Sequence, residues 1–264
     1  MIPAASRDAV LYAEAEDGEL IGYRVTAPRD GDGAEGAPGS PPVLLVHGFA
    51  SDAATTWERT GWVRALTDAG RTVITLDLRG HGASDKPIAA ASYTPEVFGA
   101  DLLAVLDTAG VDRADAIGYS MGTRILSAAA LLAPERLRRV VIGGAGPNEL
   151  FASWDLDEVR GLLLRGESTG HPLVDQVLKP ALSAGGDAEA LLGVVEGFAG
   201  APLEFPRGIR SLFVVGEDDP VPAGAGGLAE AWGSELVAIP RRDHVSTLTA
   251  RAFKDAAIAF LASP

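Results

Sequence analysis

The amino-acid sequence predicts an α/β fold with a largely parallel sheet, because short apolar runs alternate with stretches of helical pattern. Such alternation is typical of parallel strands joined by crossover helices. The apolar runs lack regular polar alternation, as expected for strands covered on both faces. The predicted strands of this part are 43–48, 71–77, 114–120 and 136–146. The predicted helices between them are 56–70, 94–110 and 121–134. A chain of 264 residues can fill one large α/β domain of this kind.

Two further strands are predicted before this alternation begins. The segments 9–18 and 19–28 are joined at Asp17-Gly18, a dipeptide that suits a hairpin turn. Residues 29–42 are rich in Gly, Pro, Asp and Ser, which predicts a surface loop.

The alternation is interrupted between residues 147 and 208, where amphipathic stretches occur without a strand pattern. This interruption predicts a helical insertion above the ends of the strands. Residues 208–219 and 234–244 then predict the last two strands, and residues 247–263 predict a closing helix.

Composition excludes several classes of partner and chemistry. The formal net charge is −14 and no basic run occurs, so we expect neither nucleic acid nor an anionic membrane surface as a partner. The chain contains no cysteine, so covalent catalysis would need an oxygen or nitrogen nucleophile. The first 20 residues lack the features of an export signal, and about 18 consecutive apolar residues occur nowhere, which predicts a cytoplasmic protein.

Two segments fit the pattern G-x-S-x-G, which places a serine nucleophile on a tight turn: "GYSMG" at 118–122 and "GESTG" at 166–170. Ser120 follows a predicted strand and leads directly into a predicted helix, the context that this turn requires. Ser168 follows a helical pattern instead, and Pro172 disfavours helix for the residue before it. We therefore interpret Ser120 as the candidate nucleophile and the second segment as a turn within the insertion.

A serine hydroxyl needs a base, and the base needs an acid that holds it. Among the four histidines, His244 lies on a loop after the last predicted strand, where it can fold back over the sheet edge. The preceding strand ends in Glu217, Asp218 and Asp219, any of which could supply the acid. The chain order is then serine, acid, histidine.

The motifs "HGFA", "DLRGHGASDKP", "GYSMG", "VVGEDDPVP" and "DHVSTL" resemble, in this order, the signatures of the α/β-hydrolase fold family, in its esterase-like or lactonase-like serine hydrolase branch. The resemblance runs from about residue 10 to the end, apart from the insertion. It implies an eight-stranded, mostly parallel sheet with helices on both faces and a short helical lid. The implied core is 1–147 with 181–264, and the implied lid is 148–180.

The resemblance also implies the roles of the site residues. Ser120 is the nucleophile, His244 the base and Asp219 the acid, with Asp218 as the alternative acid. The backbone N–H groups of Met121 and Phe49 would form the oxyanion hole, the former at the start of the helix after the nucleophile.

Several other residues receive non-catalytic or tentative roles. His47 and His81 are expected to brace loops by hydrogen bonding. Asp77 and Arg79 are expected to be structural partners, and Ser84 and Asp85 to shape the turn after them. In the insertion, Phe151 and Trp154 are candidates for the substrate pocket, and His171 is expected to be solvated. The sequence assigns no role to Arg124. No metal and no cofactor are implied.

The resemblance implies a carboxylic ester hydrolase that cleaves a small ester or lactone through an acyl-enzyme intermediate. A serine at the elbow argues against the dehalogenases and epoxide hydrolases of this fold, which use aspartate there. The same triad is compatible with carbon–carbon bond hydrolysis or with cofactor-free haloperoxidase or perhydrolase activity. A ligand-binding homologue without turnover is a further alternative. We expect a small-molecule substrate. The sequence does not indicate the oligomeric state.

Overall fold

An eight-stranded sheet forms the centre of the protein, and the computed structural model describes residues 9–28 and 40–263 around it. The strands, in chain order, are β1 Leu11–Glu14, β2 Leu20–Thr26, β3 Val43–Val46, β4 Val73–Leu76, β5 Ala114–Tyr119, β6 Leu137–Gly143, β7 Arg210–Gly216 and β8 Glu235–Ile239. Their order across the sheet is β1-β2-β4-β3-β5-β6-β7-β8. β2 runs antiparallel to both β1 and β4, and every other neighbouring pair is parallel. The predicted fold class is confirmed.

Helices cover both faces of this sheet. The α-helices of the described residues are α1 Trp62–Asp68, α2 Pro95–Thr108, α3 Met121–Leu132, α4 Leu156–Arg165, α5 Pro172–Ser183, α6 Ala188–Phe198, α7 Ala225–Trp232, α8 His244–Thr249 and α9 Arg251–Ala262. Leu44 of β3 belongs to a core cluster with residues of α2 and α3, whereas Leu45 belongs to a cluster with residues of α1 and α9. Successive side chains of a strand point to opposite faces, which explains why these strands are apolar throughout.

The hairpin at the N-terminal edge is confirmed, since Glu14 of β1 pairs with Leu20 of β2 and Gly18 adopts a φ of 87° in the turn. Most of the loop expected at 29–42 lies outside the described residues.

The predicted bounds of the helix over 56–70 are wrong. A π-helix covers Ala54–Glu58, and α1 begins only at Trp62. Gly61 has a φ of 81°, in the left-handed region, which interrupts the helical path between the two pieces.

The segment between β6 and β7 is helical, as expected, and contains α4, α5, α6 and a short 3₁₀ helix at Phe151–Ser153. The predicted lid boundary at residue 180 lies inside α5. The division of this segment into lid and core stays a prediction. No helix within 9–28 and 40–263 is long and apolar enough to cross a bilayer.

Candidate active site

Ser120 occupies a strained turn between β5 and α3. Its φ of 53° and ψ of −122° are rare for a residue with a side chain, and α3 begins at the next residue. The Ser120 N–H donates to the carbonyl of Gly143 over 2.8 Å, and its own carbonyl accepts from the N–H of Thr123 at 3.0 Å. These bonds hold the backbone in the strained conformation, so that the serine side chain stands at the carboxyl edge of the sheet.

The two glycines of "GYSMG" are required by close packing around this turn. A Cβ atom on Gly122 would lie 2.3 Å from the carbonyl oxygen of Val46, and one on Gly118 would lie 2.8 Å from the backbone nitrogen of Thr123. Real Cβ atoms do not approach backbone so closely, so the turn can form only with glycine at both positions.

His244 is held by Asp219. The distance from His244 Nδ1 to Asp219 Oδ2 is 2.7 Å, and Asp219 Oδ1 accepts the N–H of Val221 at 2.9 Å. The Asp219 side chain is fully buried, while 29% of the His244 side chain is exposed. Asp218 is exposed and its side chain makes no hydrogen bond within the described residues. The geometry therefore brings Asp219, and not Asp218, to the imidazole.

Tyr119, directly before Ser120, fixes the backbone of His244. Its hydroxyl donates to the carbonyl of His244, and the centroids of the two rings lie 5.1 Å apart. Burial raises the pKa of Tyr119, which keeps the hydroxyl protonated and able to donate.

Ser120 and His244 line one cavity of about 670 Å³. Phe49, Phe151 and Trp154 form an aromatic part of its wall, with the ring centroids of Phe49 and Phe151 4.7 Å apart. The predicted pocket residues thus lie at the cavity that the serine faces. Ser168 is not among the lining residues; it is exposed, and its hydroxyl accepts from Lys179 Nζ at 2.9 Å.

Two backbone N–H groups beside Ser120 are left without a protein acceptor. Within the part of the chain that the structure describes, neither Phe49 nor Met121 donates its N–H to another residue. The loop of Phe49 approaches the serine closely, since a Cβ atom on Gly48 would lie 3.3 Å from Ser120 Cβ. This arrangement suits an oxyanion hole, which needs donors that no protein group has taken.

His47 and His81 brace the loops around this site, as expected. Nε2 of His47 accepts the N–H of Leu78 at 3.0 Å, and Nε2 of His81 accepts the N–H of Ala50 at 3.1 Å. Each Nδ1 therefore carries the proton, which it donates to a backbone carbonyl. Burial lowers the pKa of both imidazoles, that of His81 to about 3. Both rings are neutral at physiological pH.

Asp77 and Arg79 both make structural contacts, as expected, but they are not partners of each other. Asp77 accepts the backbone N–H groups of Ala53 and Ala83 at 2.8 and 2.9 Å. The Arg79 guanidinium instead forms a buried ion pair with Asp101, at 2.6 Å. An acid that caps two loop N–H groups has no oxygen directed at the arginine two residues later.

The turn after these residues is tied to β2. Ser84 Oγ accepts the N–H of Gly22 at 2.8 Å, and Asp85 Oδ2 accepts the N–H of Leu20 at 2.7 Å.

His171 is exposed at the start of α5. No group of three or more His, Asp or Glu side chains within 9–28 and 40–263 is arranged to hold a metal ion.

Arg124, to which no sequence motif assigns a role, is buried in the cavity wall one turn of α3 beyond Ser120. Its guanidinium donates to the carbonyls of Ala201 and Gly146, both at 2.7 Å. The one local signal is an arginine four residues after the candidate nucleophile, a position that a helix places on the same face.

Comparisons with known proteins agree with this architecture. A family model described as alpha/beta hydrolase fold matches residues 41–167. Epoxide hydrolase A of Mycobacterium tuberculosis is 38% identical over 105 residues, which are 40% of this chain and 32% of that relative. The 2-hydroxymuconate semialdehyde hydrolase of a Pseudomonas species is 33% identical over 120 residues, 46% of this chain and 42% of that relative. The chain thus spans less than half the length of these curated relatives.

Similarity to solved structures extends further along the chain. The enol-lactonase from Burkholderia xenovorans has a TM-score of 0.75 and 26% identity, with 96% of this chain and 100% of that chain covered. The strand order, the family model and the structural similarity agree, and together they show that the chain has the α/β-hydrolase fold.

Proposed function

We propose that the protein is a serine hydrolase that cleaves a carboxylic ester or lactone through an acyl-enzyme intermediate. The observation that carries this proposal is the strained Ser120, which shares one cavity with a histidine that a buried aspartate holds. The Nδ1–H of His244 donates to Asp219, so Nε2 is the nitrogen left to act as base.

In the proposed reaction, Ser120 Oγ attacks the carbonyl carbon while His244 Nε2 takes its proton. The developing oxyanion accepts hydrogen bonds from the N–H groups of Phe49 and Met121, and each such donor contributes about 3 kcal/mol in comparable sites. His244 then protonates the leaving alcohol. Water, deprotonated by the same imidazole, attacks the acyl-enzyme and releases the acid and the free serine.

The choice of an ester or lactone, and not an epoxide, as the substrate rests on the identity of the nucleophile. The epoxide hydrolases of this fold use an aspartate where this chain has Ser120, and the similarity to one of them covers only 40% of this chain. The similarity to an enol-lactonase covers 96% of it and supports acyl transfer to water.

Carbon–carbon bond hydrolysis is a second candidate, because a 2-hydroxymuconate semialdehyde hydrolase is among the relatives. Perhydrolase or haloperoxidase chemistry and ligand binding without turnover are the remaining alternatives. Assays with p-nitrophenyl esters, with dienone substrates and with acetate plus peroxide separate the three enzymatic possibilities.

The test of the nucleophile is labelling with a fluorophosphonate probe, followed by peptide mass spectrometry. The chain offers a matched control, because Ser168 stands in the second G-x-S-x-G segment but outside the cavity. We expect the adduct on Ser120, loss of labelling and of ester hydrolysis in Ser120→Ala, and neither loss in Ser168→Ala. Unchanged ester hydrolysis by Ser120→Ala would overturn the proposal, and ligand binding without labelling would favour the binding protein.

A further inference from the structure

The cavity wall contains a buried cation that has no carboxylate partner. Arg124 is 5% exposed, and it is the one Lys or Arg among the lining residues of the described chain. It uses two of its five N–H groups on the carbonyls of Gly146 and Ala201. Within the described residues no Asp or Glu lies at ion-pair distance from it.

Two other buried arginines of this protein, Arg79 and Arg71, are paired with carboxylates. Arg79 forms ion pairs with Asp101 and Asp17, at 2.6 and 2.7 Å, and Arg71 pairs with Asp115 at 2.5 Å. Burial of an unpaired charge is unfavourable, which is why buried arginines are nearly always compensated. Arg124 therefore differs from Arg71 and Arg79, whose charges are compensated within the protein.

Glu149 is the acidic group whose charge acts on Arg124, where it opposes the lowering of the Arg124 pKa by burial. Its two carboxylate oxygens, however, accept the backbone N–H groups of Phe151, Ala152 and Gly200, at 2.8 to 3.0 Å. These bonds hold Glu149 at the start of the short helix, away from ion-pair contact with the guanidinium. A ligand anion in the cavity could make the contact that Glu149 does not.

The position of Arg124 fixes where such an anion would lie. Ser120 and Arg124 are four residues apart at the start of α3, a rise of about 6 Å along the helix, on the same face. An anion at the guanidinium would thus lie a few bonds from a carbonyl at Ser120. Carboxylate matches the planar, forked geometry of the remaining N–H donors.

We propose that Arg124 binds a free carboxylate of the substrate, so that the preferred substrates are hemiesters or lactones of dicarboxylic acids. This inference rests on the proposed hydrolase function, whose substrate class it narrows. The other charges of the protein repel an acidic substrate, because the net charge is −14 and Glu149 and Asp243 also line the cavity. A preference for acidic substrates would therefore have to originate at Arg124.

The experiment compares p-nitrophenyl hemiglutarate, which carries a free carboxylate, with neutral p-nitrophenyl valerate at pH 7.5. We expect kcat/KM of the wild type to favour the hemiglutarate at least tenfold. In Arg124→Met this preference should fall by about 10- to 100-fold, as expected for loss of a charged hydrogen bond, and Arg124→Lys should lie between the two. Arg165→Met, which removes an exposed arginine of α4 paired with Glu167, should keep the wild-type preference.

Calorimetry with glutarate on Ser120→Ala separates the inference from the proposed function, because binding needs no turnover. Ester hydrolysis without acid preference and without glutarate binding would overturn the inference and leave the hydrolase standing. Glutarate binding that Arg124→Met removes, in a protein that cleaves no ester, would retain the carboxylate site and overturn the hydrolase. If Arg124→Met does not fold, the preference of the wild type for the hemiglutarate and its reduction in Arg124→Lys still test the inference.

Discussion

Nδ1 of His244 lies 2.7 Å from Oδ2 of Asp219, and this bond joins the start of α8, after β8, to the turn that follows the neighbouring strand β7. The phenol of Tyr119 adds a second attachment, because its hydroxyl donates to the backbone carbonyl of His244. Asp219 thus holds the imidazole and Tyr119 holds the backbone of the same residue before any substrate is bound.

The first prediction concerns the choice between two neighbouring aspartates. Asp219→Asn should lower kcat for ester hydrolysis by roughly 10³- to 10⁴-fold, because an amide can hold His244 in the wrong tautomer. Asp218→Asn removes the same charge one residue away, from an exposed side chain, and should change kcat less than about threefold. Equal losses in the two variants, with both folded by circular dichroism, would contradict the assignment of Asp219.

The second prediction concerns packing at the elbow. Gly122→Ala places a methyl group 2.3 Å from the carbonyl oxygen of Val46, so we expect the free energy of unfolding to fall by about 2 kcal/mol or more. Gly227→Ala is a matched change in α7, where nothing lies within 4 Å, and it should raise stability by about 0.5 kcal/mol. Urea denaturation measures both values. A similar effect of the two substitutions would contradict the close packing of α3 against β3.

Much of the site could be predicted from the sequence because its residues follow strand ends. Phe49, Ser120, Asp219 and His244 come shortly after β3, β5, β7 and β8, and parallel strands bring their carboxyl ends to one edge. The strand pattern therefore predicts that these positions meet at one edge, whereas the choice of Phe49, and of Asp219 among the three acids at its strand end, comes from the resemblance to the family.

The remaining features depend on contacts between distant segments. Arg124 reaches the carbonyl of Ala201, 77 residues away, and Asp77 accepts the N–H of Ala53 rather than pairing with Arg79. The local sequence around a residue does not indicate which distant residue it will bind in the folded protein. The division of the helix expected over 56–70 was not predicted either. A glycine such as Gly61 is tolerated within a helical pattern, and only its φ of 81° in the structure reveals the break.

The third prediction concerns backbone strain at the nucleophile. Ser120 has a φ of 53° and a ψ of −122°, a conformation that only glycine adopts without strain. Ser120→Gly should therefore raise the free energy of unfolding by about 1 kcal/mol relative to Ser120→Ala, after the entropy that glycine loses on folding. Both variants lack the hydroxyl and should be inactive, so catalysis does not enter the comparison. Ser120→Gly that is less stable than Ser120→Ala in urea denaturation would show that the turn stores no such strain.

The fourth prediction concerns acid sensitivity at His81, whose pKa burial lowers to about 3 from the ordinary 6.5. Above pH 6.5 both the folded and the unfolded protein hold this imidazole neutral. Between pH 6.5 and 3 only the unfolded state takes up the proton, so stability falls with pH by up to about 1.4 kcal/mol per unit for this group. The proton would also remove the acceptor of the Ala50 N–H, which fixes the loop of Phe49.

His81→Gln tests this directly, because its carbonyl oxygen can accept the Ala50 N–H and does not titrate. Urea denaturation at pH 7.5 and 5.0 should show a loss of stability that is about 2 kcal/mol smaller in His81→Gln than in the wild type. The carboxylates are common to both proteins, so their contributions cancel in this difference. Equal losses would mean that His81 is already charged in the folded protein, which is incompatible with its Nε2 as the acceptor of a backbone N–H.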